Sequence, residues 1–177
     1  MTAEHDRLRF LAAALRLTQD GAPMQSMRPL LIDRLSDALE AHSSAAEQCF
    51  YAELLARTGN EQPARRAVEA HGEAALLVDE LADMETTDAA WQTAVERLTG
   101  LFKAQFTQEA EEVIPLAKTL LDRERALRLG ERYDDARRGW IEAFGRQPVP
   151  APTIPAASLP ASSGPNTETR TDRQALA

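Results

Sequence analysis

The sequence predicts an all-α fold: an up-down-up-down four-helix bundle with a fifth, peripheral C-terminal helix and a disordered tail. Apolar residues recur at spacings of three and four over long stretches, which is the period of one helix face. Nothing alternates with period two between turn signals, so no strand competes. Short turn-rich connectors separate the periodic stretches, and helices joined by short connections pack as antiparallel neighbours.

The first helix starts at Thr2, a residue type that caps helix N-termini, and places Leu8, Leu11, Ala12 and Leu15 on one stripe with His5 a turn before them. Gly21 is its expected stop. A loop containing Pro23 leads to a long second helix, from Met27 or Arg28 to Arg57, with Leu31, Leu35, Ala38, Leu39, His42, Ala46, Cys49 and Phe50 on one face. Thr58, Gly59 and Asn60 end it, and Pro63 suits the first turn of the next helix, where its missing N–H costs nothing. The third helix is expected to turn Ala64, Val68, His71, Ala75, Val78 and Leu81 inward and to fade at residues 83–85. Thr86, Thr87 and Asp88 supply the next cap.

The fourth helix carries Trp91, Val95, Leu98, Phe102, Gln105, Glu109, Val113 and Leu116 in register, so two polar residues interrupt an apolar stripe. Pro115 is expected to kink or end it. The segment 122–144 is dense in charge and offers Leu127, Leu129, Tyr133, Trp140 and Ile141 for docking. Residues 1–144 therefore read as one domain and 145–177 as a tail. That tail holds Pro148, Pro150, Pro152, Pro155, Pro160 and Pro165 among Ala, Ser and Thr with no aromatic, a composition that cannot bury a core.

The formal charge of -8 argues against the basic surface that nucleic acid or an anionic membrane requires. One cysteine allows no intramolecular disulfide, no apolar run reaches the roughly 20 residues of a membrane span, and the charged N-terminus lacks a signal-peptide layout. A cytoplasmic protein is expected. No glycine-rich phosphate loop or nucleophile elbow occurs, and no general acid or base stands out, so no enzymatic role is expected.

All three histidines, His5, His42 and His71, fall on inward faces of three different helices. A buried imidazole needs a hydrogen-bond partner or a metal, and it is the commonest protein ligand for transition metals. Cys49, two turns after His42, reads as a small apolar filler, and Glu111 and Glu112 as a solvated face.

On these residues the chain resembles the hemerythrin-like family of HHE cation-binding four-helix bundles over roughly residues 1–140. His5 in Glu4-His-Asp-Arg-Leu-Arg resembles the first-helix ligand, His42 followed by Phe50-Tyr51 the second, and His71 in Glu69-Ala-His-Gly-Glu-Ala the third. The stretch Phe102-Lys-Ala-Gln105-Phe-Thr-Gln-Glu109-Ala-Glu-Glu-Val-Ile-Pro115 resembles the fourth-helix motif with glutamine in place of histidine. The second helix also departs from the family: Ala46 stands four residues after His42, and the carboxylate is Glu47 at plus five. At about 100° per residue, plus five lies about 140° from the histidine, so Glu47 turns aside.

The family's oxygen-carrying di-iron centre uses five histidines and two bridging carboxylates, a set this chain does not have. The resemblance therefore implies a reduced site for a metal ion, with iron expected, built from His5, His42, His71 and Glu109 with Glu47 or water completing the shell. It further implies an oxygen- or redox-responsive role without oxygen carriage. The alternative is a metal-free bundle acting as an interaction or regulatory module, its remnants paired as His42 with Glu109 and His71 with Gln105. A protein partner or a homodimer fits either reading.

Overall fold

The computed structural model describes residues 2–18, 22–84 and 88–146, the side chains of 22, 23 and 88 excepted. The expected stop at Gly21, the caps at Thr86 and Thr87 and the tail from 147 onward lie outside the described residues. The described residues contain helices and no strand. The first bundle helix is α1 (Thr2–Leu17), and a single short turn, α2 (Ala22–Gln25), precedes the second. The second is α3 (Arg28–Ala45), continued through a π-helical segment (Ala46–Tyr51) into α4 (Ala52–Thr58). The third is α5 (Gln62–Asp83). The fourth is α6 (Asp88–Gln108), continued through a second π segment (Glu109–Val113) into α7 (Ile114–Leu120). The fifth is α8 (Arg123–Phe144).

Local chemistry accounts for the boundaries. Gly59 adopts φ 63°, the left-handed conformation that glycine reaches without strain, and its N–H caps α4 by bonding Leu55 O at 2.9 Å. Asn60 Oδ1 accepts the Gln62 N–H at 3.0 Å, and Pro63 sits in the first turn of α5. Asp122 accepts the Arg125 N–H at 2.8 Å as the N-cap of α8. At the end of α1, Thr18 Oγ1 donates to Leu15 O at 2.7 Å, while Arg28 Nε donates to Thr18 Oγ1 at 3.0 Å and Nη2 to Thr18 O at 3.2 Å. The Arg28 guanidinium also lies 4.3 Å from the Trp91 ring centroid. A cation set at a helix C-terminus and over an indole face is favoured on both counts.

Two apolar clusters form the interior. The larger joins α1, α3, α5 and α6 through Leu8, Leu15, Leu35, Leu77, Trp91, Leu98, Phe102 and Phe106. The smaller joins the two π segments to α5, α7 and α8 through Ala45, Cys49, Phe50, Tyr51, Ala67, Val113, Ala117, Leu129 and Tyr133. The stripe expected on α1 is the buried one.

Three expectations are corrected. On α5 the buried face is Ala67, His71, Ala74, Leu77, Val78 and Leu81, so Val68 is exposed and Ala75 half-buried. Past the second π segment Ala117 is buried and Leu116 half-buried, because the wider π turn shifts the register by one residue. The same turn carries the helix straight through Pro115. The Ile114 N–H already bonds Glu109 O, five residues back, so the proline falls in the first turn of α7, where it needs no N–H.

The fifth helix is exposed over most of its length, with only Leu129 and Tyr133 buried. Its end is held by Arg146, whose N–H and Nη1 each donate to Asp37 at 2.9 Å while Nε lies 3.4 Å from Asp33. Because Arg146 is half-exposed, Asp37→Ala is expected to cost only about 1 kcal/mol overall. Amide hydrogen exchange in the last turn of α8 should nonetheless quicken selectively, and unchanged exchange there would show that the contact does not hold the helix end.

Candidate metal centre

Where the two apolar clusters meet, the structure places a set of polar side chains from five helical runs. His5 comes from α1, His42 from α3, His71 from α5, Gln105 from α6, and Glu109 opens the second π segment. All five residues are buried, His42 completely. His5, His42 and Glu109 each present a ligating atom, and these atoms lie within 4.8 Å of one another.

Glu109 anchors the group. Its Oε1 accepts from Tyr51 OH at 2.8 Å and from Gln105 Nε2 at 3.3 Å. Its Oε2 lies 3.0 Å from His5 Nε2, without the alignment of a hydrogen bond. Burial alone would raise the Glu109 pKa, but His5, the Tyr51 hydroxyl and His42 together outweigh it and hold the carboxyl below its usual range. The His5 ring stacks on Phe106 with centroids 4.1 Å apart, which fixes its plane.

His42 sits edge-on to His5 at 5.0 Å and to His71 at 5.4 Å. Its Nδ1 lies 2.7 Å from Tyr133 OH. Desolvation first, and then the neighbouring His5 and His71, lower its pKa to about 3, so the ring is neutral near pH 7. The Nε2 atoms of His5, His42 and His71, Glu109 Oε2 and Gln105 Oε1 are buried with no hydrogen-bond partner among the described residues. Buried polar atoms without partners are rare in native folds, and here they gather at one place. Imidazole nitrogens with a carboxylate oxygen form a donor set that suits iron or zinc.

His71 and Glu47 stand beside this trio. Glu47 Oε1 lies 3.2 Å from His71 Nδ1, and the Glu47 side chain is 37% exposed, so the pair occupies the rim. The 140° turn away from His42 is what points Glu47 across to α5. Gln105 bonds Glu109, and His71 bonds Glu47, so the pairings expected for a metal-free remnant, His42 with Glu109 and His71 with Gln105, are not the hydrogen bonds that form.

The model of the hemerythrin family, the hemerythrin HHE cation binding domain, matches residues 1–117. The chain belongs to the hemerythrin family. No curated protein and no solved structure matches it. The hemerythrin-family match spans the four helices that carry the three histidines and Glu109, and it ends before α8.

Two site residues were not legible as such. Tyr51 lies nine residues after His42, and at about 100° per residue a straight helix would aim it about 180° away. The π segment Ala46–Tyr51 adds a residue to the turn and swings it back by about 100°, onto Glu109. Tyr133 comes from the helix expected to be merely peripheral. Its only signal is that Leu129 and Tyr133, one turn apart, form an apolar stripe in a charged helix. Cys49 is buried in the smaller cluster with Sγ 3.6 Å from Arg132 O, as a filler would be. Glu111 and Glu112 are exposed, and Glu112 pairs with Arg66 at 3.1 Å.

The neutral burial of His42 sets a pH dependence for the metal-free protein. Its pKa is lower folded than unfolded, so its contribution is complete above about pH 6.5 and falls as acid protonates the unfolded chain first. At pH 5 the loss is about 2 kcal/mol from this residue. The depressed Glu109 carboxyl adds a loss of the same sign at lower pH. Urea denaturation of metal-free protein between pH 8 and 4 should show this fall, and His42→Leu should flatten its upper part.

Proposed function

We propose that this hemerythrin-family chain binds a single metal ion, iron, through His5, His42 and Glu109, with His71 and Glu47 completing the shell from the rim. The carrying observation is the convergence of three buried ligating residues whose donor atoms lie within 4.8 Å of one another, with His5 Nε2 3.0 Å from Glu109 Oε2 and His42 Nε2 buried without a hydrogen-bond partner among the described residues. Tyr51 and Gln105 hold Glu109, Phe106 holds the His5 plane, and the apolar clusters on either side exclude water. A bound iron supplies a change of redox state and a coordination position for a small molecule. The protein supplies a neutral imidazole, an oriented carboxylate and a low-dielectric surround.

Three histidines in the whole chain are too few for the family's oxygen-carrying di-iron set, which favours an oxygen or redox response over oxygen carriage. A cytoplasmic setting accords with such a role, and no helix among the described residues is long and apolar enough to cross a membrane. The second reading, a metal-free interaction module, draws on the contacts that Glu109 and His71 already make within the chain.

Metal analysis of tag-free protein after anaerobic loading with ferrous iron separates the two. About one equivalent of iron is expected, and less than about a tenth sinks the metal reading. Air should then change the visible spectrum irreversibly. A change that reverses on degassing would point to carriage instead.

A further inference from the structure

The family match ends at residue 117, yet one contact to the most buried histidine of the centre comes from beyond it. Tyr133 on α8 is 3% exposed, its ring stands 6.1 Å from that of His42, and its hydroxyl lies 2.7 Å from His42 Nδ1. Two arrangements of the shared proton are available. If the phenol donates to Nδ1, then Nε2 of the neutral ring carries the hydrogen, and His42 has no lone pair left for the point it shares with His5 and Glu109. If Nδ1–H donates to the phenolic oxygen, the Nε2 lone pair faces the same point. The second arrangement alone makes His42 a ligand.

We propose that Tyr133 is a positioning residue of the centre: its oxygen accepts the Nδ1–H of His42 and keeps the Nε2 lone pair aimed at the point shared with His5 and Glu109. The proposal rests on the reading of that point as a metal site. Metal-bound histidines characteristically donate their second ring N–H to an oxygen that fixes tautomer and ring orientation. Here the oxygen is provided by a fifth helix that docks chiefly through Leu129 and Tyr133. Burial and then the Glu4 carboxylate push the Tyr133 phenol up, so it remains a neutral hydroxyl and the pair carries no charge into the core. The ends of α8 are secured independently, at Asp122 by its own cap and at Arg146 by Asp37, so the tyrosine is delivered to His42 by a helix held at both ends.

Ring-nitrogen NMR of histidine-labelled, metal-free protein tests the orientation without any metal. In the wild type the His42 signals should be those of the Nδ1–H tautomer with a bare Nε2. In Tyr133→Phe, which keeps the ring and its packing, they should move toward the Nε2–H tautomer at an unchanged melting temperature. Ferrous iron should then bind Tyr133→Phe about 10- to 100-fold more weakly than wild type. A wild-type ring protonated on Nε2, or a Tyr133→Phe protein with unaltered His42 signals and iron affinity, would overturn the proposal. Tyr133→Leu, which also lacks the hydroxyl, should reproduce the tautomer change, and its failure to do so would count equally against it. If the wild type takes up no iron, the metal reading fails by itself, while the ring-nitrogen signals still decide the orientation.

Discussion

Replacing His42 by alanine is expected to abolish iron uptake, taking the loaded protein from about one equivalent to less than about a tenth, a loss larger than from any other single change at the centre. His42 is the middle member of the group, edge-on to both other histidines and one of the three residues whose ligating atoms converge. The fold itself should survive. Deleting the ring leaves a cavity and strands the Tyr133 hydroxyl, but it also removes a buried nitrogen that lacks a hydrogen-bond partner among the described residues. These contributions oppose one another, so the metal-free variant should lie within about 2 kcal/mol of wild type in urea denaturation. Iron retained by a well-folded His42→Ala protein would place the metal elsewhere. Cys49→Ala, at a buried position in the smaller cluster, should leave the iron content unchanged.

Phe106→Ala should give the largest loss of stability, about 3–5 kcal/mol, a large part of the 5–15 kcal/mol typical of a domain this size. Phe106 is 1% exposed and stacks on Phe102 with centroids 5.3 Å apart. The His5 ring also stacks on it with centroids 4.1 Å apart, and Arg9 lies 5.0 Å from its centroid. Truncation therefore opens a cavity in the larger cluster and releases the plane of a ligand-bearing imidazole at the same time. Chemical denaturation reads the first effect. Iron affinity of Phe106→Leu, which keeps most of the buried volume, reads the second. A cost below about 1 kcal/mol for the alanine variant would mean that the cluster closes over the gap.

The bundle was legible because its helices keep an unbroken three-four spacing between strong stop signals. The inward placement of His5, His42, His71 and Glu109 followed from the same period, as did the sideways aim of Glu47. What escaped the sequence shares a physical cause. Helical spacing is extrapolated at a constant angle per residue, and both long site helices break that constancy with a π turn that begins four residues after a site position, at Ala46 after His42 and at Glu109 after Gln105. Residues beyond each turn are consequently rotated, which is why Tyr51 and Ala117 face inward unannounced. Tyr133 escaped for a different reason: a single long-range hydrogen bond leaves no periodic trace in a helix otherwise covered in charge.

The paired π turns bear on how the chain tolerates changes in length. Each holds one residue more than a regular turn would, so deleting a single codon within 46–51 or 109–113 should restore an unbroken ladder of backbone bonds and give a locally more regular helix. A deletion that spares Tyr51 and Glu109 would leave Tyr51 eight residues after His42 on a regular helix, about 80° from it, and would bring Ala117 to the inward register, so both should keep their aim. Elsewhere in these helices the loss of one residue would rotate everything downstream by about 100°, so single-residue deletions should be tolerated best at these two places, where the helix already absorbs a surplus residue.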